Sequence, residues 1–145
     1  MDEIKKNKVT RTALREQAFC LVYEYSFNKQ ASKEELDRLF DDAVKIYGYE
    51  DCDYIRGVFY GVAERSEELD GIISKYAVGW KIERISRVSL SVMRICVYES
   101  RYVDDVPPAV AINEAVELAK KYDTEQAPAF INGVLNAALK GEGIM

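Results

Sequence analysis

Apolar side chains recur along this chain at intervals of three and four residues, the period of an α-helix, and the runs are separated by short breaks carrying stop and start signals. Leu14, Ala18, Leu21, Val22 and Tyr25 form one face of a first helix expected from about Thr10 to Tyr25. Ser32 and Glu35 have the spacing of a capping box, and Leu36, Leu39, Phe40, Ala43, Val44 and Tyr47 make a second face that stops at Gly48. A longer third helix is expected from a cap at Asp51 through Ile55, Val58, Phe59, Val62, Ser66, Leu69, Ile73 and Tyr76, with Ser66 as the one polar interruption of the stripe.

Val88 to Val92 alternates apolar and polar as a strand would. Over the wider window Ile85, Val88, Val92, Ile95 and Cys96 keep helical spacing, while Leu90, Met93 and Val97 fill another face. A helix apolar on most sides is a central one, and with no second strand to pair with it the consistent fold class is all-α. Pro107 and Pro108 exclude a helix through them and start the next, whose face is Ile112, Ala115, Val116, Ala119 and Tyr122, with Glu117 and Lys121 as a solvent-side pair. After a break at Asp123 and Thr124, Pro128 suits the first turn of a last helix carrying Phe130, Ile131, Val134, Leu135, Ala138 and Leu139, ended by Gly141. Gly133 inside it costs about 1 kcal/mol relative to alanine, so it is expected to mark a close approach of another backbone, with Asn132 bonded to a neighbouring loop.

A length of 145 residues fits one domain over residues 1–145, with residues 1–9 as a flexible basic arm, and 48% apolar content is enough for a real core. No apolar run approaches the roughly 20 residues needed to span a bilayer, and no signal-peptide pattern follows the charged start, so a cytoplasmic protein is expected. Cys20, Cys52 and Cys96 lack metal-ligand spacing and read as reduced thiols. The chain has no histidine, which removes Ser/His and Cys/His nucleophile pairs and histidine-bearing zinc sites; no cofactor or catalytic residue is expected. The net charge of −5 is uneven: Lys5, Lys6, Lys8, Arg11 and Arg15 against Asp2 and Glu3 give residues 1 to 15 a balance of +3 and leave −8 on the rest. A basic start on an acidic body favours a limited contact with a phosphate backbone over indiscriminate binding. If the first helix reaches back to Lys8, then Lys8, Arg11 and Arg15 share one stripe and their charges point together.

Several segments carry more than helical periodicity: Pro107 with VAINEAVELAK from Val110 to Lys120, FINGVL from Phe130 to Leu135, WKIERI from Trp80 to Ile85, Met93-Arg94-Ile95 with Tyr98-Glu99, and Arg15-Glu16 with Tyr23. As a set, over roughly residues 8 to 141, they resemble the NusB family of bacterial transcription antitermination factors. The resemblance implies a compact bundle of about seven helices in two small helical subdomains, the first from the opening three helices and the second around the central helix and the last two. It implies function by binding: recognition of a short single-stranded RNA element, box A, together with NusE, a small-subunit ribosomal protein, and assembly of an antitermination complex on RNA polymerase, notably for ribosomal RNA operons.

Carried over by position, Arg11 and Arg15 match the arginine-rich start of the family's first helix, with Lys5, Lys6 and Lys8 adding phosphate attraction, and Tyr122 and Gln126 fall in its second RNA-contact region. Tyr122 has two readings, a platform for a base and a member of an apolar stripe. Tyr23 and Ser89 match positions that contact NusE. Thr12 and Ala13 stand where the family often has further arginines, and Ser89 where it usually has an acidic residue; these departures support an alternative, a NusB-like protein-interaction module without specific RNA binding. A similar helical domain precedes certain ribosomal RNA cytosine methyltransferases, but a chain of this length without a glycine-rich cofactor loop is not expected to be an enzyme. Relatives occur as monomers and as homodimers, and both states remain open. Trp80, Glu83, Arg84, Arg94 and Glu99 read as scaffold, with Trp80 plugging the junction between bundles and Arg94 paired with Glu83 or Glu99.

Overall fold

A computed structural model describes residues 9–145; Lys5, Lys6 and Lys8 lie outside the described residues. Among the described residues there are seven α-helices and no strand: α1 (Arg11–Tyr25), α2 (Lys33–Tyr47), α3 (Asp53–Glu64), α4 (Ser66–Tyr76), α5 (Arg87–Tyr102), α6 (Pro108–Tyr122) and α7 (Ala127–Gly141), with a short 3-10 turn (Ile82–Arg84) before α5. The start and stop signals work as expected at several ends. The Ser32 hydroxyl accepts from the Glu35 amide while the Glu35 carboxylate accepts from the Ser32 amide, and Gly48 ends α2 with φ 72°. Pro107 and Pro108 open α6, and Pro128 lies in the first turn of α7.

The expected long third helix is two. The backbone leaves helical geometry at Arg65 (φ −109°, ψ 20°), and the buried Tyr25 hydroxyl reaches this break, 3.2 Å from Ser66 Oγ. Asp51 does not cap α3; its carboxylate is held by Arg56 at 2.6 and 2.9 Å, and Cys52 takes the cap position without a side-chain bond.

Two clusters of buried side chains give two subdomains as expected, but the second half of the expected third helix, α4, belongs to the second and not the first. Leu21, Tyr25, Phe40, Ala43, Ile55 and Phe59 join α1, α2 and α3. The larger core surrounds α5, whose residues from Ser89 to Val97 are all buried, and draws in α4, α6, α7 and the other face of α1 through Ala18 and Val22. Helix α1 therefore belongs to both cores.

Other local expectations are corrected. Gly133 is exposed with nothing within 4 Å of where a Cβ would stand; the glycines under close contact are Gly61, against the Tyr98 ring, and Gly141, against Tyr76. Asn132 is bonded within its own helix by Asn136, at 2.9 Å to its carbonyl. Glu117 pairs with Lys120 at 3.0 Å, whereas Lys121 reaches across to Glu16. Arg94 pairs with Asp70 of α4 at 2.7 and 3.1 Å, not with Glu83 or Glu99. Trp80 is 53% exposed and plugs no junction. The three thiols are free; Cys96 is buried, which pushes its pKa up to about 12, while Cys20 and Cys52 are half-buried.

Candidate nucleic-acid interface

Thr10 starts α1 by accepting the Ala13 amide on its hydroxyl at 3.1 Å, which fixes the direction of the next side chain, Arg11. The Arg11 guanidinium lies 4.3 Å from the centroid of the Tyr54 ring and 3.7 Å from Asp105 Oδ1, with its side chain 42% exposed. It is a cation held on an aromatic face at the surface, available to an incoming anion.

Arg15, one turn later, is turned inward. Its Nε and Nη2 donate to the two oxygens of Glu99 at 2.7 and 2.8 Å, and Nη1 lies 3.2 Å from Glu114. Burial alone would lower its pKa, but the bonds and charge of Glu99 raise it above the usual arginine value. The Tyr54 hydroxyl donates to the same Glu99 carboxylate at 2.9 Å, and burial, followed by the Glu99 charge, raises the phenol. Arg11 and Arg15 do lie on one side of α1, their guanidinium groups 4.3 and 5.7 Å from the centroid of the same Tyr54 ring, but only Arg11 stays at the surface: Glu99, fully buried on α5, requires a cation, and Arg15 supplies it.

Along the seam between α1 and α6, Thr12 donates to Glu114 at 3.2 Å and Lys121 pairs with Glu16 at 2.7 Å. These residues, with Glu117, Leu118 and Lys120, line a shallow cleft of about 360 Å³. Next to Lys121, Tyr122 lines a separate, larger cleft, where it rests on Phe19, ring centroids 5.2 Å apart, and donates its hydroxyl to Glu16. It is 42% exposed, so it packs as a member of the apolar stripe on one side and leaves the rest of its surface open. The bonds from Lys121 and Tyr122 hold the Glu16 carboxyl below its usual range. Gln126, exposed at the cap of α7, makes no capping bond with its side chain. Arg11 and Tyr122 therefore stand at the surface along α1 and the end of α6, Gln126 is exposed beyond the α6–α7 turn, and Arg15 is withdrawn into the interior. Lys120 and Lys121, which the sequence reading did not count among the contact residues, share the seam; their signal was a basic last turn on α6.

Tyr23 is half-buried, edge-on to Phe27 at 5.2 Å, and borders a cleft of about 600 Å³ lined also by Leu39, Ile46, Tyr47, Tyr49 and Val88. Ile46 and Tyr47 are 67% and 70% exposed; Tyr47, expected on the buried face of α2, instead forms the rim. Ser89 is not on this surface. It is buried, and its hydroxyl donates to Asp123 at 2.8 Å beside that of Ser86 at 2.6 Å. Burial would raise the Asp123 pKa, but these two hydroxyls hold it low. The position where an acidic residue was expected carries instead a hydroxyl bonded to a carboxylate from the α6–α7 turn. Among the described residues no group of three Cys, Asp or Glu side chains is arranged to hold a metal ion.

The family model of NusB matches residues 12–140. The transcription antitermination protein NusB of Ruminiclostridium cellulolyticum is 46% identical over 132 residues, covering 91% of this chain and 90% of that protein. The protein of the same name from Acetivibrio thermocellus is 42% identical over 130 residues, 90% and 88% of the two chains. Among solved structures, T. maritima NusB superposes with a TM-score of 0.80 at 29% identity over 92% of each chain. A crystal structure of antitermination factors NusB and NusE in complex with dsRNA gives 0.77 at 28% identity, covering 90% of this chain and 96% of that one.

Proposed function

This chain belongs to the NusB family, and from that premise we propose that it is a transcription antitermination factor that binds box A RNA together with NusE and promotes assembly of an antitermination complex on RNA polymerase, notably at ribosomal RNA operons. It works in the cytoplasm as one domain over residues 1–145, by binding and without a chemical step. Among the described residues no helix is long and apolar enough to cross a membrane, which fits that setting. The observation that carries the RNA reading is the exposed Arg11 guanidinium, placed over Tyr54 at the head of a seam that ends in the half-exposed Tyr122. Arginine there offers a planar fork to phosphate, and tyrosine offers a face to an unstacked base. Lys5, Lys6 and Lys8 add to the phosphate contact.

In this proposal Arg15 positions the first turn of α1 without touching RNA, because its donors are engaged by Glu99 and Glu114. NusE takes the Tyr23 side of the molecule, where the 600 Å³ cleft and the exposed Ile46 and Tyr47 offer apolar surface. Ser89 shapes that region only through its bond to Asp123.

A second reading, a protein-interaction module without specific RNA binding, has its own support: Arg15, Lys120 and Lys121 all lie against carboxylates of this chain. Fluorescence anisotropy of a labelled box A oligonucleotide and a scrambled control, with and without NusE at two salt concentrations, separates the two. Preference for box A that strengthens with NusE and falls with salt supports the RNA reading. Equal or absent binding to both RNAs, with NusE present, moves the function to the interaction module.

A further inference from the structure

Trp80 is the chain's one tryptophan, and it stands 53% exposed between α4 and the 3-10 turn. Tryptophan is on average highly buried, so an indole this open calls for an explanation in what it can bind. Its position is fixed. Gly79 before it adopts φ 84°, a conformation suited to glycine, and the Trp80 amide donates to the Ala77 carbonyl at 3.0 Å. Phe130 of α7 supports the indole from one side, ring centroids 5.3 Å apart at 60°. The ring is braced on that side and open to solvent elsewhere.

Lys81, just before the 3-10 turn, and Arg84, at its end, follow, both exposed, with Glu83 between them. Neither cation forms an ion pair among the described residues. This reverses the pattern on the α1–α6 seam, where Arg11, Lys120 and Lys121 each lie against a carboxylate. The place is also continuous with the proposed RNA contact: Phe130 lies one helical turn beyond Gln126, its amide donating to the Gln126 carbonyl at 3.4 Å. A braced, exposed aromatic ring beside exposed cations is the chemistry that receives an unstacked base and its neighbouring phosphates.

We propose that Trp80 is a base-stacking site for single-stranded RNA, with Lys81 and Arg84 holding adjoining phosphates, so that the RNA path runs past the α6–α7 turn onto this platform. The inference rests on the RNA-binding function proposed above. Two exposed cations with no ion-pair partner among the described residues favour a polyanion over a protein segment as the occupant.

A single tryptophan makes the test direct. Box A RNA is titrated into the full chain with NusE while the emission of Trp80 and the anisotropy of the RNA are followed together, with the Trp80→Phe chain as the blank for any emission from NusE. RNA binding should quench Trp80. Trp80→Ala should weaken RNA binding roughly 5- to 100-fold, the range for loss of one stacked base, and Trp80→Phe should retain most of the affinity. Lys81→Gln with Arg84→Gln, both exposed, should leave the fold intact, weaken binding and make the salt dependence shallower by about 1.4 in log–log slope, about 0.7 for each of two phosphates on a single strand. If RNA binds by anisotropy with no change in emission and the variants bind as the parent does, the stacking site is overturned and the RNA-binding function survives. If the variants weaken NusE binding in the absence of RNA but leave RNA affinity unchanged, the platform is a protein surface and the inference fails. If the parent chain binds no RNA even with NusE, both the function and this site fall.

Discussion

Arg15 of α1 and Glu99 of α5 meet in the interior as a two-bond ion pair, Nε to Oε1 at 2.7 Å and Nη2 to Oε2 at 2.8 Å. Tyr54 of α3 donates to the same carboxylate, and Glu114 of α6 takes the remaining edge of the guanidinium. Four helices are thereby tied at one point directly beneath the turn that carries Arg11. Burying such charges costs several kcal/mol per ion, offset only where the geometry is good and the donors are met, so the pair sets helix arrangement more than it adds net stability.

Removing one partner exposes that cost. Arg15→Ala leaves Glu99 buried without its main counter-charge and is expected to lose about 3–5 kcal/mol in urea unfolding. Arg15→Met combined with Glu99→Leu, which removes both charges and keeps volume, should recover much of the loss. A single-variant loss below about 1 kcal/mol, within the range of exposed pairs, would show that the network is not structural.

Acid should weaken the fold through Asp70 and Asp123. Burial would raise the Asp70 pKa, but Arg94 and Lys29 hold it below the usual range, and Ser86 and Ser89 do the same for Asp123. A carboxyl with a depressed folded pKa contributes stability that is present above its unfolded value and lost as pH falls through the folded one. The urea midpoint should therefore fall progressively below the unfolded aspartate pKa of about 3.9. Asp70→Asn should be less stable at pH 7 and show a shallower acid decline; an unchanged slope would remove Asp70 from this account.

Most of the helices were legible because burial imposes a period on the sequence, and α5 was identifiable as central even though Val88 to Val92 alternate like a strand, whereas the division into two cores came from the family resemblance and not from periodicity. Less legible was anything decided by one side chain meeting another from a distant helix. Arg11 and Arg15 are four apart and share a stripe by spacing, yet Glu99, 84 residues further on, turns Arg15 inside. The break at Arg65 was hidden because Ser66 reads as a tolerated polar position until Tyr25 is seen beside it. Ser89 was placed on a partner surface by likeness of position, but its buried hydroxyl already has a partner in Asp123.

The glycines of the helices should respond in opposite directions to alanine. Gly133 has open space where a Cβ would stand, so Gly133→Ala should stabilise by about 0.5–1 kcal/mol through helix propensity and the unfolded chain. At Gly61 the new Cβ would collide with the Tyr98 ring, which is itself packed on Tyr102 at 5.3 Å. Displacing that ring should make Gly61→Ala destabilising by about 1–3 kcal/mol, the usual cost of overpacking. Thermal unfolding of the two variants beside the parent decides it, and a stabilised Gly61→Ala would show that Tyr98 yields freely.

On the α1–α6 seam the chain's own carboxylates compete with RNA for its cations, and Glu16 is the place to measure this. It holds Lys121 at 2.7 Å and accepts the Tyr122 hydroxyl, so two groups of the proposed RNA face are bound internally before RNA arrives. Glu16→Gln removes the charge while keeping the shape. Because exposed ion pairs are worth at most about 1 kcal/mol, affinity for box A RNA should rise by no more than about fivefold. The salt dependence should steepen by about 0.7 in log–log slope, the increment for one further phosphate on a single strand. Arg11→Ala should do the reverse, weakening RNA and flattening the slope by a similar amount, with no effect on NusE binding measured without RNA. Asp105→Asn, which frees Arg11 from its partner at 3.7 Å, should shift affinity in the same direction as Glu16→Gln. If both charge-removing variants bind RNA as the parent does while Arg11→Ala also has no effect, the RNA does not run along this seam.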